Sequence, residues 1–178
     1  GADCVMLSGE TAKGKYPIEA VQMMAKICCE AESAINYASQ FNQISLLTPK
    51  PMDTVETIAA STARAAFELG AAAIIVLSTT GTTARLIAKY KPPVPILMIT
   101  RRAETSRLAH LYRAVLPLHY ASPRGSTDQW QKDVDARIEW GISKAKEMDM
   151  LSSGGVIIAV TGWSNGPQHT NTMRVLTV

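Results

Sequence analysis

The chain has 178 residues, of which 47% are hydrophobic and 19% charged, and its net charge is +3. This is enough apolar material for one domain with a real core, or one domain plus a fragment, and it excludes a disordered chain. The mild positive charge, with no basic run longer than Arg101-Arg102, argues against a nucleic-acid partner, and the longest apolar run, Ala71–Leu77, is too short to cross a membrane.

The chain opens on Gly1-Ala2-Asp3, with no initiator Met and no secretory pattern. It enters at once the buried-strand pattern Cys4-Val5-Met6-Leu7. A polar turn follows over residues 8 to 15, then a helix with Pro17 at its first position. Ile18, Val21, Met24, Ala25, Cys28, Ala31 and Ile35 recur along that helix at its period. One strand and one helix form a single βα unit that cannot close a core alone, so these residues are expected to be a piece of something larger. The three cysteines, Cys4, Cys28 and Cys29, form no disulfide pattern, and adjacent Cys28 and Cys29 are poorly placed to bridge each other. A reducing, cytosolic setting is the expectation.

Residues 38 to 51 read as a linker ending in the stiff Thr48-Pro49-Lys50-Pro51. Asp53 and Glu56 then make a capping-box-like start to a helix with the stripe Val55, Ile58, Ala59, Thr62, Ala66 and Leu69, ended by Gly70. Beyond it strands and helices alternate: a strand over 72–77, a helix from about Thr82, a strand over 95–100 and a helix over 103–111. A third strand, 114–120, contains Pro117 and is expected at a sheet edge. A long helix from about Thr127 to Met148, capped by Ser126, precedes a strand over 155–161 and a short last strand over 173–178. This alternation predicts an α/β fold: a doubly wound, mostly parallel five-stranded sheet with helices on both faces.

In such sheets ligands sit beyond the carboxyl ends of the strands, where the strand order reverses. Ser78-Thr79-Thr80-Gly81-Thr82-Thr83 lies there, between a buried strand and a helix start. A helix start offers unpaired N–H groups and partial positive charge, Gly81 permits φ > 0, and the hydroxyls can bond phosphate oxygens. The segment reads either as a phosphate loop or as a simple cap made by Thr82 or Thr83. On the long helix Trp130 and Arg137 stand seven apart, about 10 Å of rise on one face. They read either as a second anion clamp or as a packed indole beside a solvated guanidinium. The stretch from Gly162 to Asn171 is longer than a hairpin needs and reads either as a lid or as a plain surface loop.

The wording of several segments resembles the pyruvate kinase family. Gly1-Ala2-Asp3-Cys4-Val5-Met6-Leu7-Ser8-Gly9-Glu10-Thr11-Ala12-Lys13-Gly14-Lys15-Tyr16-Pro17 resembles the segment closing that family's catalytic barrel. Pro49-Lys50-Pro51, Ile74–Thr83, His110-Leu111-Tyr112-Arg113, Asp133–Arg137 and Thr170-Asn171-Thr172 continue the likeness over essentially the whole chain, closest to fungal and animal forms. The resemblance implies that residues 1–38 are the C-terminal fragment of a (β/α)8 TIM barrel, a remnant βα unit, and that residues 39–178 are the allosteric effector-binding domain.

The family transfers a phosphoryl group from phosphoenolpyruvate to ADP in glycolysis, with Mg2+ and K+, as a cytoplasmic homotetramer. Its catalytic lysine, metal carboxylates and K+ ligands have no counterpart in this segment. No catalytic or metal residue, and no bound cofactor, is therefore expected here. Ser8 alone borders the active-site mouth, at the end of what would be the eighth barrel strand. Effector-sensitive members bind fructose 1,6-bisphosphate, and the residues that match are Ser78, Thr79, Thr80, Gly81, Thr82, Thr83, Trp130, Arg137, Trp163, Gly166 and His169. The expected partners are that sugar phosphate and other subunits of a homotetramer, with no nucleic acid and no membrane. The chain departs from the family at Gln168, where relatives usually carry glycine, and near Ser164, where they carry a basic residue. Pro167 removes one N–H donor. An effector-insensitive module that only makes subunit contacts is the alternative.

Overall fold

In a computed structural model, described here for residues 1–123, 129–163 and 169–178, the core is a five-stranded sheet with strands β1 (Ala73–Leu77), β2 (Ile96–Thr100), β3 (Val115–His119), β4 (Val156–Gly162) and β5 (Thr170–Thr177). The spatial order is β3-β2-β1-β4-β5. The first four strands are parallel, and β5 runs antiparallel to β4. The order reverses between β1 and β4, because the chain moves outward from β1 to β3 and then returns to the other side of β1. The doubly wound, mostly parallel sheet predicted from the alternation is therefore the observed fold.

Period-two alternation sends the strand side chains to two separate cores. Ile74, Val76, Ile96, Met98, Ile158 and Val160 face the helices α4 (Thr54–Leu69), α5 (Thr82–Lys89) and α6 (Ala103–Ala109). Ile75, Leu97, Ile99, Ile157 and Ala159 face α7 (Trp130–Glu147) through Val134, Ile138 and Ala145. Gly141 lets α7 press onto the sheet, since a Cβ there would lie 2.4 Å from Ile99 Cδ1. β3 is an edge strand, as Pro117 predicted.

The caps explain where α4 begins and ends. The Asp53 carboxylate accepts the Glu56 N–H at 2.7 Å, and Gly70 closes the helix in the left-handed conformation at φ 58°. The Glu56 side chain does not return to the cap. It binds Lys89 and accepts from the Tyr90 hydroxyl at 2.9 Å, tying α4 to the end of α5.

Four expectations are corrected. Cys4–Leu7 forms no strand: residues 1–8 are irregular and largely exposed, because no sheet edge lies beside them to pair their backbone groups. The turn predicted over 8–15 contains a single helical turn, α1 (Gly9–Ala12), and α2 (Pro17–Ser33) follows as expected, though with no buried residue. A barrel-like βα unit is thus not formed. Residues 38–51 are mostly helix and not linker. In α3 (Tyr37–Leu47) the Asn36 carboxamide accepts the Ser39 N–H at 3.0 Å, and Phe41 and Ile44 pack on the core. Finally β5 is an eight-residue strand that starts at Thr170 and not at Met173, paired across a register shift at Thr161/Gly162. The expected cap Ser126 lies outside the described residues, and α7 is described from Trp130.

Candidate functional site at the carboxyl edge of the sheet

β1 continues one residue beyond its last pair: the Ser78 N–H donates to Ile99 O at 3.1 Å. The chain then turns through Thr79 and Thr80 into Gly81, which takes φ 83°, ψ −7°. Glycine is needed there twice over. A side chain at that φ is strained, and a Cβ would sit 3.4 Å from Thr105 Cγ2. Ser78 Oγ accepts the Gly81 N–H at 3.0 Å, and Thr105 on α6 donates its hydroxyl to Thr79 O at 3.0 Å, so the turn is held from inside and from the neighbouring helix.

Gly81 is the N-cap of α5 and has no side chain to cap it, and the Thr82 N–H reaches Thr80 Oγ1 only at a long 3.4 Å. Thr82 and Thr83 lie inside the helix, so neither plays the simple capping role. The hydroxyls divide by environment. Thr80 and Thr82 pair with each other at 3.0 Å in an exposed position, Thr79 is exposed, and Thr83 is buried against Thr170, hydroxyl to hydroxyl, at 2.8 Å. An uncapped helix start with exposed hydroxyls at a switch point is chemically suited to an anion.

The other half of the predicted pair is on α7. Trp130 and Arg137 do share a face: the guanidinium lies 5.6 Å from the indole centroid. Arg137 is not a solvated side chain. It is buried, with Nη2 3.0 Å from Asp133 Oδ2 and Nε donating to Asp133 O at 3.3 Å. Asp133 is shared with Arg101, whose Nη2 lies 2.5 Å from Oδ1 and whose Nη1 lies 3.2 Å from Oδ2. Asp133 thus gathers two guanidinium groups at one place, donors of the kind that bind phosphate. The indole N–H of Trp130 is buried with no acceptor among the described residues, and a buried donor left unmatched carries a cost most native structures avoid.

Arg101 was missed by sequence reasoning as a site residue, although its position directly after β2 places it at the carboxyl edge. It is also fixed by donating to Ser122 O at 2.9 Å and by stacking on Tyr120 at 5.0 Å. Thr170 was missed as well, because its partner is 87 residues away. Of the expected loop residues, Trp163 is 75% exposed, with its backbone N–H donating to Asn171 Oδ1 at 3.0 Å. His169 is exposed beside Thr170. Gly166, with Ser164, Pro167 and Gln168, lies outside the described residues. Among the described residues Ser8 bonds locally, with Glu10, Thr11 and Ala12. Among the described residues no group of three or more His, Cys, Asp or Glu side chains is arranged to hold a metal ion, and no helix is long and apolar enough to cross a membrane.

The family model for the pyruvate kinase alpha/beta domain matches residues 56–176. The chain belongs to the pyruvate kinase family. It is 54% identical to the pyruvate kinase of Lachancea kluyveri over 178 residues, 53% to that of Kluyveromyces lactis and 51% to that of Candida albicans over 176 residues. These alignments cover 99–100% of this chain but only 34–35% of each relative, so the chain spans about a third of the length of the pyruvate kinases it matches. Ser78–Thr83, Trp130, Arg137 and the β4–β5 connection all fall inside the matched alpha/beta domain.

Proposed function

We propose that this chain is the C-terminal part of a pyruvate kinase and that its carboxyl-edge site binds fructose 1,6-bisphosphate. The supporting observation is the uncapped start of α5, ringed by Ser78, Thr79, Thr80 and Thr82 at the switch point of the sheet. On this reading the loop takes one phosphate through helix-start N–H groups and hydroxyls. Arg137 and the unmatched Trp130 indole N–H take the other. Residues 1–38 supply the end of the catalytic barrel and residues 39–178 the effector domain.

The parent enzyme is proposed to convert phosphoenolpyruvate and ADP to pyruvate and ATP in the cytoplasm, as a homotetramer using Mg2+ and K+. The 178-residue chain is proposed to be inactive alone, since phosphoryl transfer needs charge neutralisation and positioning by groups this segment does not supply. A coupled assay of the purified chain checks that point, and measurable turnover overturns it.

Calorimetric titration with fructose 1,6-bisphosphate tests the site. Each charge-assisted contact contributes about 1.5–3 kcal/mol, so Arg137→Ala is expected to weaken binding about 10- to 100-fold. Equal affinity of the variant and the unmodified chain overturns the two-phosphate arrangement. One observation favours the second reading, an effector-insensitive module for subunit contacts. Asp133 already binds Arg137 and Arg101, so a phosphate must compete with an internal carboxylate.

A further inference from the structure

We propose that Thr170 is a positioning residue for the anion loop, acting through the Thr83 hydroxyl to lock the first turn of α5 to the first residue of β5. The inference rests on the effector reading of the Ser78–Thr83 loop and deepens it. Thr83 is the second residue of α5, 5% exposed, and Thr170 opens β5, 9% exposed. Their hydroxyl oxygens are 2.8 Å apart in buried surroundings. A threonine hydroxyl has one proton to donate and two acceptor sites. When Thr170 donates to Thr83, the Thr83 proton is left to point at a ligand oxygen near the helix start. Bonds in such a chain polarise and strengthen one another, more so in a poorly solvated place.

The backbone agrees with this role. The ladder between β4 and β5 shifts register between Thr161 and Gly162, and Gly162 pairs with Thr170 beyond the shift. Thr170 is thus the end of a strand, where the ladder holds it weakly, and its side chain gives it a second anchor on α5. Gly81 and Thr105 fix the other side of the loop, through the left-handed turn and the bond to Thr79 O. An anion drawn to the α5 start therefore acts on a turn whose far side is fixed and whose near side is tied to β5. Its occupancy is transmitted to the antiparallel edge of the sheet.

The test uses the full 178-residue chain with Thr83→Val, Thr170→Val, the double variant and Thr170→Ser. Its two readouts are calorimetric affinity for fructose 1,6-bisphosphate and amide hydrogen exchange. Thr170→Val is expected to weaken binding about three- to tenfold, the range for losing one neutral hydrogen bond. Thr83→Val should do at least as much, the double variant no more than the weaker-binding single, and Thr170→Ser should bind like the native chain. At saturating ligand the native chain should gain protection at residues 79–82 and at 170–172. Thr83→Val should keep the first and lose the second, which general loosening of the fold does not produce.

Native affinity in Thr170→Val alongside weakened Thr83→Val, or multiplicative losses in the double variant, overturns the proposal and leaves Thr83 acting alone. If the native chain binds no bisphosphate, the effector reading fails on its own terms. The link is then judged without ligand: faster exchange at residues 82–85 in Thr170→Val supports it, and unchanged exchange there overturns it.

Discussion

Cys4-Val5-Met6-Leu7 and Ile74-Ile75-Val76-Leu77 are two apolar tetrads of similar length, and the molecule treats them in opposite ways. The second is completely enclosed between two helix layers, whereas the first is irregular, with Met6 83% and Val5 56% exposed. The same contrast extends to helices. In α4 the small residues Ala59, Thr62, Ala63 and Ala66 are buried against the sheet, while α2, one residue longer, buries none and leaves Ile18, Val21, Met23 and Ile27 open. Local pattern sets the potential of a segment; partners on both sides decide whether the pattern is used. β1 has β2 and β4 beside it and helices above and below, and Cys4–Leu7 has neither.

The largest effect that separates the two regions is a cavity. Ile158→Ala, in the core between β4 and α4, is expected to destabilise the fold by about 2–5 kcal/mol, whereas Val21→Ala on α2 should stay within about 0.5 kcal/mol. Urea unfolding of the two variants checks this, and comparable losses would erase the distinction between the regions. Overpacking comes next. Gly141→Ala forces a methyl against Ile99 and Ile75 and is expected to cost about 1–3 kcal/mol, read as a lower urea midpoint at unchanged slope. Caps give a smaller contrast. Asp53→Ala should cost about 1 kcal/mol, because α4 is part of the cooperative core, and Asn36→Ala should affect α3 helicity more than the main unfolding transition.

A smaller loss again is predicted in the Glu56–Lys89–Tyr90 cluster. The hydrogen bond from Lys89, more than any other influence, holds the Glu56 carboxyl below its ordinary value of 4.5, and burial pushes the Tyr90 phenol up. A lowered carboxyl pKa stabilises the fold above the unfolded value and loses that contribution as pH falls through the folded one. Glu56→Gln is therefore expected to cost about 0.5–1 kcal/mol near neutrality, an interaction partly screened by water. The gap between variant and native stability should close below pH 4.5. A gap that persists or widens in acid contradicts this assignment.

The fold was largely legible because its elements carry redundant signals. Ala73–Leu77 is apolar throughout, Gly70 and Gly81 mark its flanks, and Pro117 identified an edge. α3 was missed because Pro49 and Pro51 draw attention to the end of the segment, although Asn36 as cap and Phe41 with Ile44 three apart were there to be read. Cys4–Leu7 carries a strand pattern yet forms no strand, because pairing partners are a property of the whole sheet and not of four residues. At the site, spacing alone placed Trp130 and Arg137 on one face, and the switch-point rule placed Ser78–Thr83. Asp133 as the shared counterion of Arg101 and Arg137 was not legible, since the two arginines are 36 positions apart and meet only when α7 crosses the end of β2. The Thr83–Thr170 bond is hidden in the same way, because it depends on how β5 folds back beside β4.

The central claim is that the uncapped start of α5 and the Trp130–Arg137 face bind one sugar bisphosphate together. The most direct measurement is a 1H–15N NMR titration of the 178-residue chain with fructose 1,6-bisphosphate, followed at the amides of Gly81, Thr82 and Thr83 and at the Trp130 indole N–H. The predicted result is that these signals move together along one saturation curve, with the amides of α2 unchanged. Saturable shifts confined to one of the two groups, or no saturable shift in either, would contradict the claim.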